Sequence, residues 1–183
     1  MGCPITFSRI AKDCKGVGGI KRIALFDRTK VDLTDSSFGF LSGGTCENIT
    51  LIGGYKGEEI ENIVATNSFN TVMQKSLENG SVFYETDIVV QVFKMTPSKQ
   101  VKLASLALGE LVLWLEDNNG NVWVFGIDNP AEMLNMEAVT GTALGDKNGY
   151  QLTFKAWDKN PAPSFDFTVA GESFDFYITP VTT

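Results

Sequence analysis

The chain has 183 residues, a net charge of −7, a pI near 4.6 and no histidine. Lacking His, it lacks the commonest general base, the commonest zinc ligand and the usual partner of a catalytic Ser or Cys, and its acidic balance is the opposite of what tight phosphate binding needs. Hydrophobic residues at 43%, thirteen Phe and eighteen Gly point to one globular domain over 1–183, built from strands and tight turns.

The first segment, "MGCPITFSRIAKDCKG", has no apolar core of signal-peptide length. No run approaches the ~18 apolar residues of a membrane span, so no membrane partner is expected. Met1-Gly2-Cys3 meets the myristoylation pattern only at Gly2 and Thr6, beside an unfavourable Pro4, and does not read as a lipidation signal. Cys3, Cys14 and Cys46 form no CxxC pair and read as isolated thiols. Gly16-Val17-Gly18-Gly19 lacks the Gly-Lys-Ser/Thr of a phosphate loop and reads as a plain turn.

Ile20–Phe26 is a short strand. The polar, glycine-dotted stretch 27–57 reads as a flexible arm or surface loop carrying one strand at Glu47–Ile52. Asn62–Met95 is one long hairpin with Asn79-Gly80 in its turn. Along its second half Val82, Tyr84, Ile88, Val90 and Val92 fall on one face, and Glu85, Asp87 and Gln91 on the other. Along its first half Phe69 and Met73 oppose Ser68, Asn70 and Gln74. The hairpin is therefore buried on one side and polar on the other.

A short helix follows at about 96–109, with Thr96 as N-cap, Pro97 in the first turn and Gly109 as the stop. Val101, Ala104 and Leu108 form one stripe, with Leu103, Leu106 and Ala107 beside it, so the helix is expected to plug against a sheet. Glu110–Glu116 and Asn121–Ile127 form a second hairpin, apolar on both faces and hence central. Met136–Thr142 and Tyr150–Trp157 form a third. The tail, 164–183, reads as a strand extension with a near-repeat, Ser164-Phe165-Asp166-Phe167 and Ser173-Phe174-Asp175-Phe176. The fold class is mainly β: a sandwich or barrel of antiparallel hairpins with one flanking helix.

Two acidic, glycine-bearing loops invite a cation reading: Asp117-Asn118-Asn119-Gly120 and Asp146-Lys147-Asn148-Gly149. A calcium loop needs oxygens at positions 1, 3 and 5, Gly at 6 and Glu at 12. Here Gly falls at position 4 and no Glu closes the sphere. The spacing fits turns, with Asp117 and Asp146 accepting from backbone and Gly120 and Gly149 at the fourth position with positive φ. No metal, cofactor or catalytic residue is assigned, and the chain is not read as an enzyme. Trp114, Trp123 and Trp157 are either core residues or the wall of a sugar site.

The order of pieces carries a resemblance. The run from Glu78 to Ser164, with its blocks "DNNGNVWVFG" and "TGTALGDKNGYQLTF", together with "DCKGVGGIKRI" near the start, resembles virion structural proteins of phages of Bacteroidetes-type hosts, similar to tail-tube or related tail and neck ring subunits. The resemblance implies a self-assembling ring, commonly of six subunits, joined to other tail or neck proteins in a virion assembled in the host cytoplasm. Genomic DNA would pass through it without tight binding. On that reading the polar face of the long hairpin, with Thr66, Ser68, Asn70, Gln74, Glu78, Glu85, Asp87 and Gln91, faces the lumen; otherwise it is an ordinary solvated sheet face. A neck, connector or tail-completion ring is the alternative among structural proteins. A carbohydrate- or ligand-binding sandwich is the alternative from another class.

Overall fold

The computed structural model describes residues 16–34, 44–61, 66–143, 145–167 and 172–179. The chain is mainly β, with two sheets and one helix of more than two turns. The strands are β1 (Ile20–Asp27), β2 (Thr45–Cys46), β3 (Gly57–Ile60), β4 (Ser68–Ser76), β5 (Ser81–Phe93), β6 (Leu111–Asp117), β7 (Val122–Phe125), β8 (Glu132–Val139), β9 (Gly149–Asp158), β10 (Ser164–Phe165) and β11 (Ile178–Thr179). Helix α1 is Pro97–Leu106, and α2 is a single turn, Phe174–Tyr177. The order is β11-β3-β1-β6-β7-β10-β2 in the larger sheet and β4-β5-β9-β8 in the smaller.

The sheets face each other across one core. Ile23, Leu25, Leu113, Leu115 and Phe125 from the larger sheet meet Ile88, Val90, Leu152 and Phe154 from the smaller. Each such side chain contributes about 1.5–3 kcal/mol by leaving water. The alternate residues of β1 and β6, Ala24, Phe26, Val112 and Trp114, point the other way into a second core. Val31, Cys46, Ile49, Phe165, Phe174, Tyr177 and Ile178 close that core from outside. The larger sheet is thus buried on both faces, which is why the β6–β7 hairpin is apolar on both.

The hairpins fall where alternation places them, with instructive differences. Helix α1 begins as expected: Thr96 Oγ1 accepts from the Lys99 amide and Pro97 occupies the first turn. It ends at Leu106, and the buried stripe is Leu103 with Leu106, while Val101 and Leu108 are exposed. Strand β8 starts four residues before Met136, because a bulge between Met133 and Asn135 breaks the period-2 pattern. It ends at Val139, ahead of Gly141 at φ +69°.

The expected strand at Glu47–Ile52 is absent. The pairing residues are Thr45–Cys46, and Leu51 only bridges to Val31 before Gly53 and Gly54, both at positive φ, turn the chain. The second half of the tail repeat is a helical turn, not a strand. Phe174 and Tyr177, three apart, are both buried while Phe176 is exposed, a spacing only a helical turn provides. Within 27–57, Val31, Cys46 and Ile49 are anchored in the second core, and residues 35–43 lie outside the described residues. So do Cys3, Cys14 and residues 180–183. No described helix is long and apolar enough to cross a membrane.

Candidate functional site: the outer face of the four-stranded sheet

Strand β5 sets the site. Thr86, Ile88, Val90 and Val92 enter the core, so Glu85, Asp87 and Gln91 turn outward. Register carries that face across the sheet. Asn70 lies opposite Asp87, and Ser68 opposite Val89, on β4. Lys155 lies opposite Asp87, Trp157 opposite Glu85 and Gln151 opposite Gln91, on β9. Asn135 and Glu137 on β8 continue the row through Thr153 and Gln151.

Six of the eight residues expected together, Ser68, Asn70, Gln74, Glu85, Asp87 and Gln91, therefore share one outward face. Thr66 lies before β4, its hydroxyl 3.4 Å from Asn67 Oδ1, and Glu78 sits in the β4–β5 turn; neither belongs to the face. The β9 and β8 contributors were not singled out from sequence. The sign available was the alternation of "YQLTFKAWD", whose polar half is Gln151, Thr153, Lys155 and Trp157.

The centre of the face is a charged row. Gln74 Nε2 donates to Glu85 Oε2 at 3.1 Å. Lys155 Nζ pairs with Glu85 and lies 3.4 Å from Asp87 Oδ1, and it sits 5.8 Å from the centroid of the Trp157 ring. The lysine beside it holds the Glu85 carboxyl below its usual range, with Gln74 adding to the effect, and Glu85 in turn raises Lys155. Glu85, Asp87, Glu132 and Glu137 outnumber Lys155 among the strand residues of this face. Asp87 is exposed and Glu85 and Lys155 lie half-buried at the sheet surface, so these pairs orient side chains more than they stabilise the fold. The face is acidic and rich in amide and hydroxyl groups, with Val72, Phe83 and Val89 on the same side by register. It can hydrogen-bond and it repels phosphates.

Of the three tryptophans only Trp157 lies here. Trp114 is fully buried in the second core, and Trp123 packs on Phe69 with its indole N–H on Asp117 Oδ2 at 3.2 Å. Two open cavities of about 300 Å³ each lie away from this face, one near Tyr55 and Phe176 and the other near Phe174. No cluster of three or more Cys, Asp or Glu among the described residues could hold a metal ion.

The two acidic loops are built differently. Asp117 Oδ1 accepts from the amides of Asn119 (2.8 Å) and Asn121 (2.9 Å), and the Gly120 amide closes on Asp117 O with Gly120 at φ +87°. Burial pushes the Asp117 carboxyl up, but these bonds, with those from the Asn121 and Trp123 side chains, outweigh it and hold it below its usual value. Asn118 and Asn119 then clamp the glycine run before β1, through Gly18 O and through the amide and carbonyl of Val17. Asp146 instead reaches backward, to the amides of Thr142 (2.7 Å) and Ala143 (2.8 Å). Gly149 does not take positive φ. It is the first residue of β9, and a Cβ there would collide with the carbonyl oxygen of Val92.

No protein-family model, curated protein or solved structure matches this chain.

Proposed function

We propose that this chain is a structural subunit of a phage virion, of tail-tube type, which closes into rings with the outer face of the four-stranded sheet turned to an aqueous conduit for DNA. The observation that carries the reading is the chemistry of that face. Six uncharged or acidic residues of the β4–β5 hairpin line one side of a sheet whose other side is core. A conduit for DNA needs such a wall, wet and negative, so that phosphates pass without being held. The edges suit a ring. Among the described residues β4 and β8 each pair on one side only, so both offer backbone groups to a neighbouring copy. The bulge in β8 limits its regular edge to Asn135–Val139.

Electron microscopy of the purified chain across a concentration series, with light-scattering mass, tests this. Rings or tubes with a central channel are the expected result. Growth that stops at one ring assigns the neck or connector role instead of the tube. A strict monomer at every concentration overturns self-assembly. Replacing Asn70 and Gln91 by lysine is expected to leave assembly intact and to make the channel retain DNA at low salt. Unchanged retention would remove this face from the lumen.

A further inference from the structure

An Asn-Gly step is a place where a chain can alter its own covalent structure. Glycine puts no side chain in the way of ring closure, and its amide nitrogen is within reach of the preceding side-chain carbonyl. The sequence has three such steps: Asn79-Gly80, Asn119-Gly120 and Asn148-Gly149. By sequence they are equivalent. The fold makes them unequal.

Two are locked. Asn119 Oδ1 accepts from the Val17 amide and Asn119 Nδ2 donates to Val17 O, both at 2.9 Å, and the Gly120 amide donates to Asp117 O at 3.1 Å. Neither the carbonyl carbon nor the attacking nitrogen can turn toward the other without breaking these bonds. Asn148 Oδ1 accepts from the Met95 amide at 3.2 Å, and Asn148 O accepts from the Lys94 amide at 2.9 Å. Gly149 is buried and wedged against the backbone of Val92 and Phe93. Ring closure there would require β9 to part from β5.

Asn79-Gly80 differs. Both residues are exposed in the loop between Ser76 and Ser81, where the β4–β5 pairing ends. Among the described residues neither the Asn79 side chain nor the Gly80 amide has a hydrogen-bond partner. The Asn79 amide is held by Ser76 Oγ alone, at 3.4 Å. Gly80 takes φ +64°, and a Cβ there would meet nothing within 4 Å.

We propose that Asn79-Gly80 is a site of self-modification, where the folded chain converts an amide into a carboxylate with solvent water as the co-reactant. Hydroxide takes the Gly80 amide proton, and the nitrogen attacks Asn79 Cγ. A new C–N bond forms as the Cγ–Nδ2 bond breaks, and Nδ2 takes up a proton and leaves as ammonia. Water then opens the cyclic imide at either carbonyl. Opening at Cγ leaves aspartate. Opening at the backbone carbonyl leaves isoaspartate, which carries the chain through Cβ and lengthens the loop by one methylene. Water enters, ammonia departs and nothing is oxidised or reduced. Either product sets a second carboxylate beside Glu78 at the hairpin tip. The reaction needs no partner and does not rest on ring assembly.

The test holds the folded full chain at mildly alkaline pH, beside the same chain in guanidinium, and follows all three sites by peptide mass spectrometry. In the folded chain Asn79 should deamidate at least about tenfold faster than Asn119 or Asn148, because an opening that costs only about 1.4 kcal/mol already slows a locked site by that factor. In guanidinium the three rates should converge. Isoaspartate should accompany aspartate at position 79, since direct hydrolysis of the side-chain amide cannot make it. Asn79→Gln should remove the early acidic species that the intact wild type shows on anion exchange. Equal rates at the three sites of the folded chain, or a faster rate at Asn119 or Asn148, overturn the proposal. So do aspartate without isoaspartate, an Asn79→Gln variant that acidifies as fast as the wild type, and rates in guanidinium that stay as far apart as in the folded chain.

Discussion

At the residue scale the two carboxylates of greatest structural weight titrate in opposite senses. Asp117 organises the β6–β7 turn through four bonds to its carboxylate. Asp117→Ala leaves the Asn119 and Asn121 amides and the Trp123 indole without their acceptor, and is expected to cost about 2 kcal/mol in urea unfolding. The folded carboxyl titrates below its usual value. The stability it adds is therefore complete above the unfolded pKa, near 3.9, and is lost as pH falls through the lower folded value. The variant should accordingly lose less stability than the wild type on acidification. Asp158 is buried and accepts from the Gly126 and Asp128 amides, and burial raises it. Ionising it in the folded state carries a penalty that appears as pH rises past 3.9 toward its folded value, so its contribution runs the other way. The Asp-x-x-Gly turn was legible in the sequence because the bonds of Asp117 are local. The clamp of Asn118 and Asn119 on Val17 and Gly18, about a hundred residues away, was not, because it exists only once β1 and β6 have paired.

At the element scale helix α1 separates what local signals decide from what packing decides. Its start was readable from Thr96 and Pro97, whose geometry follows from the residues themselves. Thr96→Ala is expected to cost about 1 kcal/mol. Which stripe would be buried was not readable, because "VKLASLAL" is apolar nearly all round and only contact with the core chooses Leu103. Leu103→Ala should cost about 2–5 kcal/mol and Val101→Ala less than about 0.5 kcal/mol. Equal losses in chemical denaturation would mean that the helix packs on both stripes. Gly149 is a second case. Its place in a turn motif suggested positive φ, while its actual need is the close approach of Val92 and Phe93. Gly149→Ala is expected to destabilise by more than the propensity difference, because backbone on the neighbouring strand must move. The tail repeat is a related case: the same Ser-Phe-Asp-Phe letters make a short strand beside β7 and a helical turn that leads into β11.

At the scale of the whole molecule, the larger sheet has a core on each face. One core lies against a long, continuous four-stranded sheet. The other is closed by α2, by Val31 and Ile49, and by the sheet's own short outlying strands β2, β10 and β11, the last joined to β3 over only two residues. This second core gains its hold from aromatics more than from backbone pairing. Trp114 is ringed by Phe26, Phe165, Phe167, Phe174 and Tyr177, with centroids 4.5–6.0 Å away. Its buried indole N–H has no hydrogen-bond partner among the described residues, a cost of about 1–3 kcal/mol that the rest of the cluster must offset. Short outlying strands and an unmet donor mark this second core as the part that opens at lowest free energy. Phe174→Ala, in a Trp123→Phe/Trp157→Phe background that leaves Trp114 as sole reporter, should lower stability by about 3–5 kcal/mol. It should also red-shift the emission before global unfolding. Amide exchange should then speed up in β3 and β11 while β5 and β9 keep their protection. If β5 and β9 lose protection together with the emission shift, the two cores are one cooperative unit. The four-stranded sheet that carries the proposed conduit face would then share its stability with the tail instead of standing apart from it.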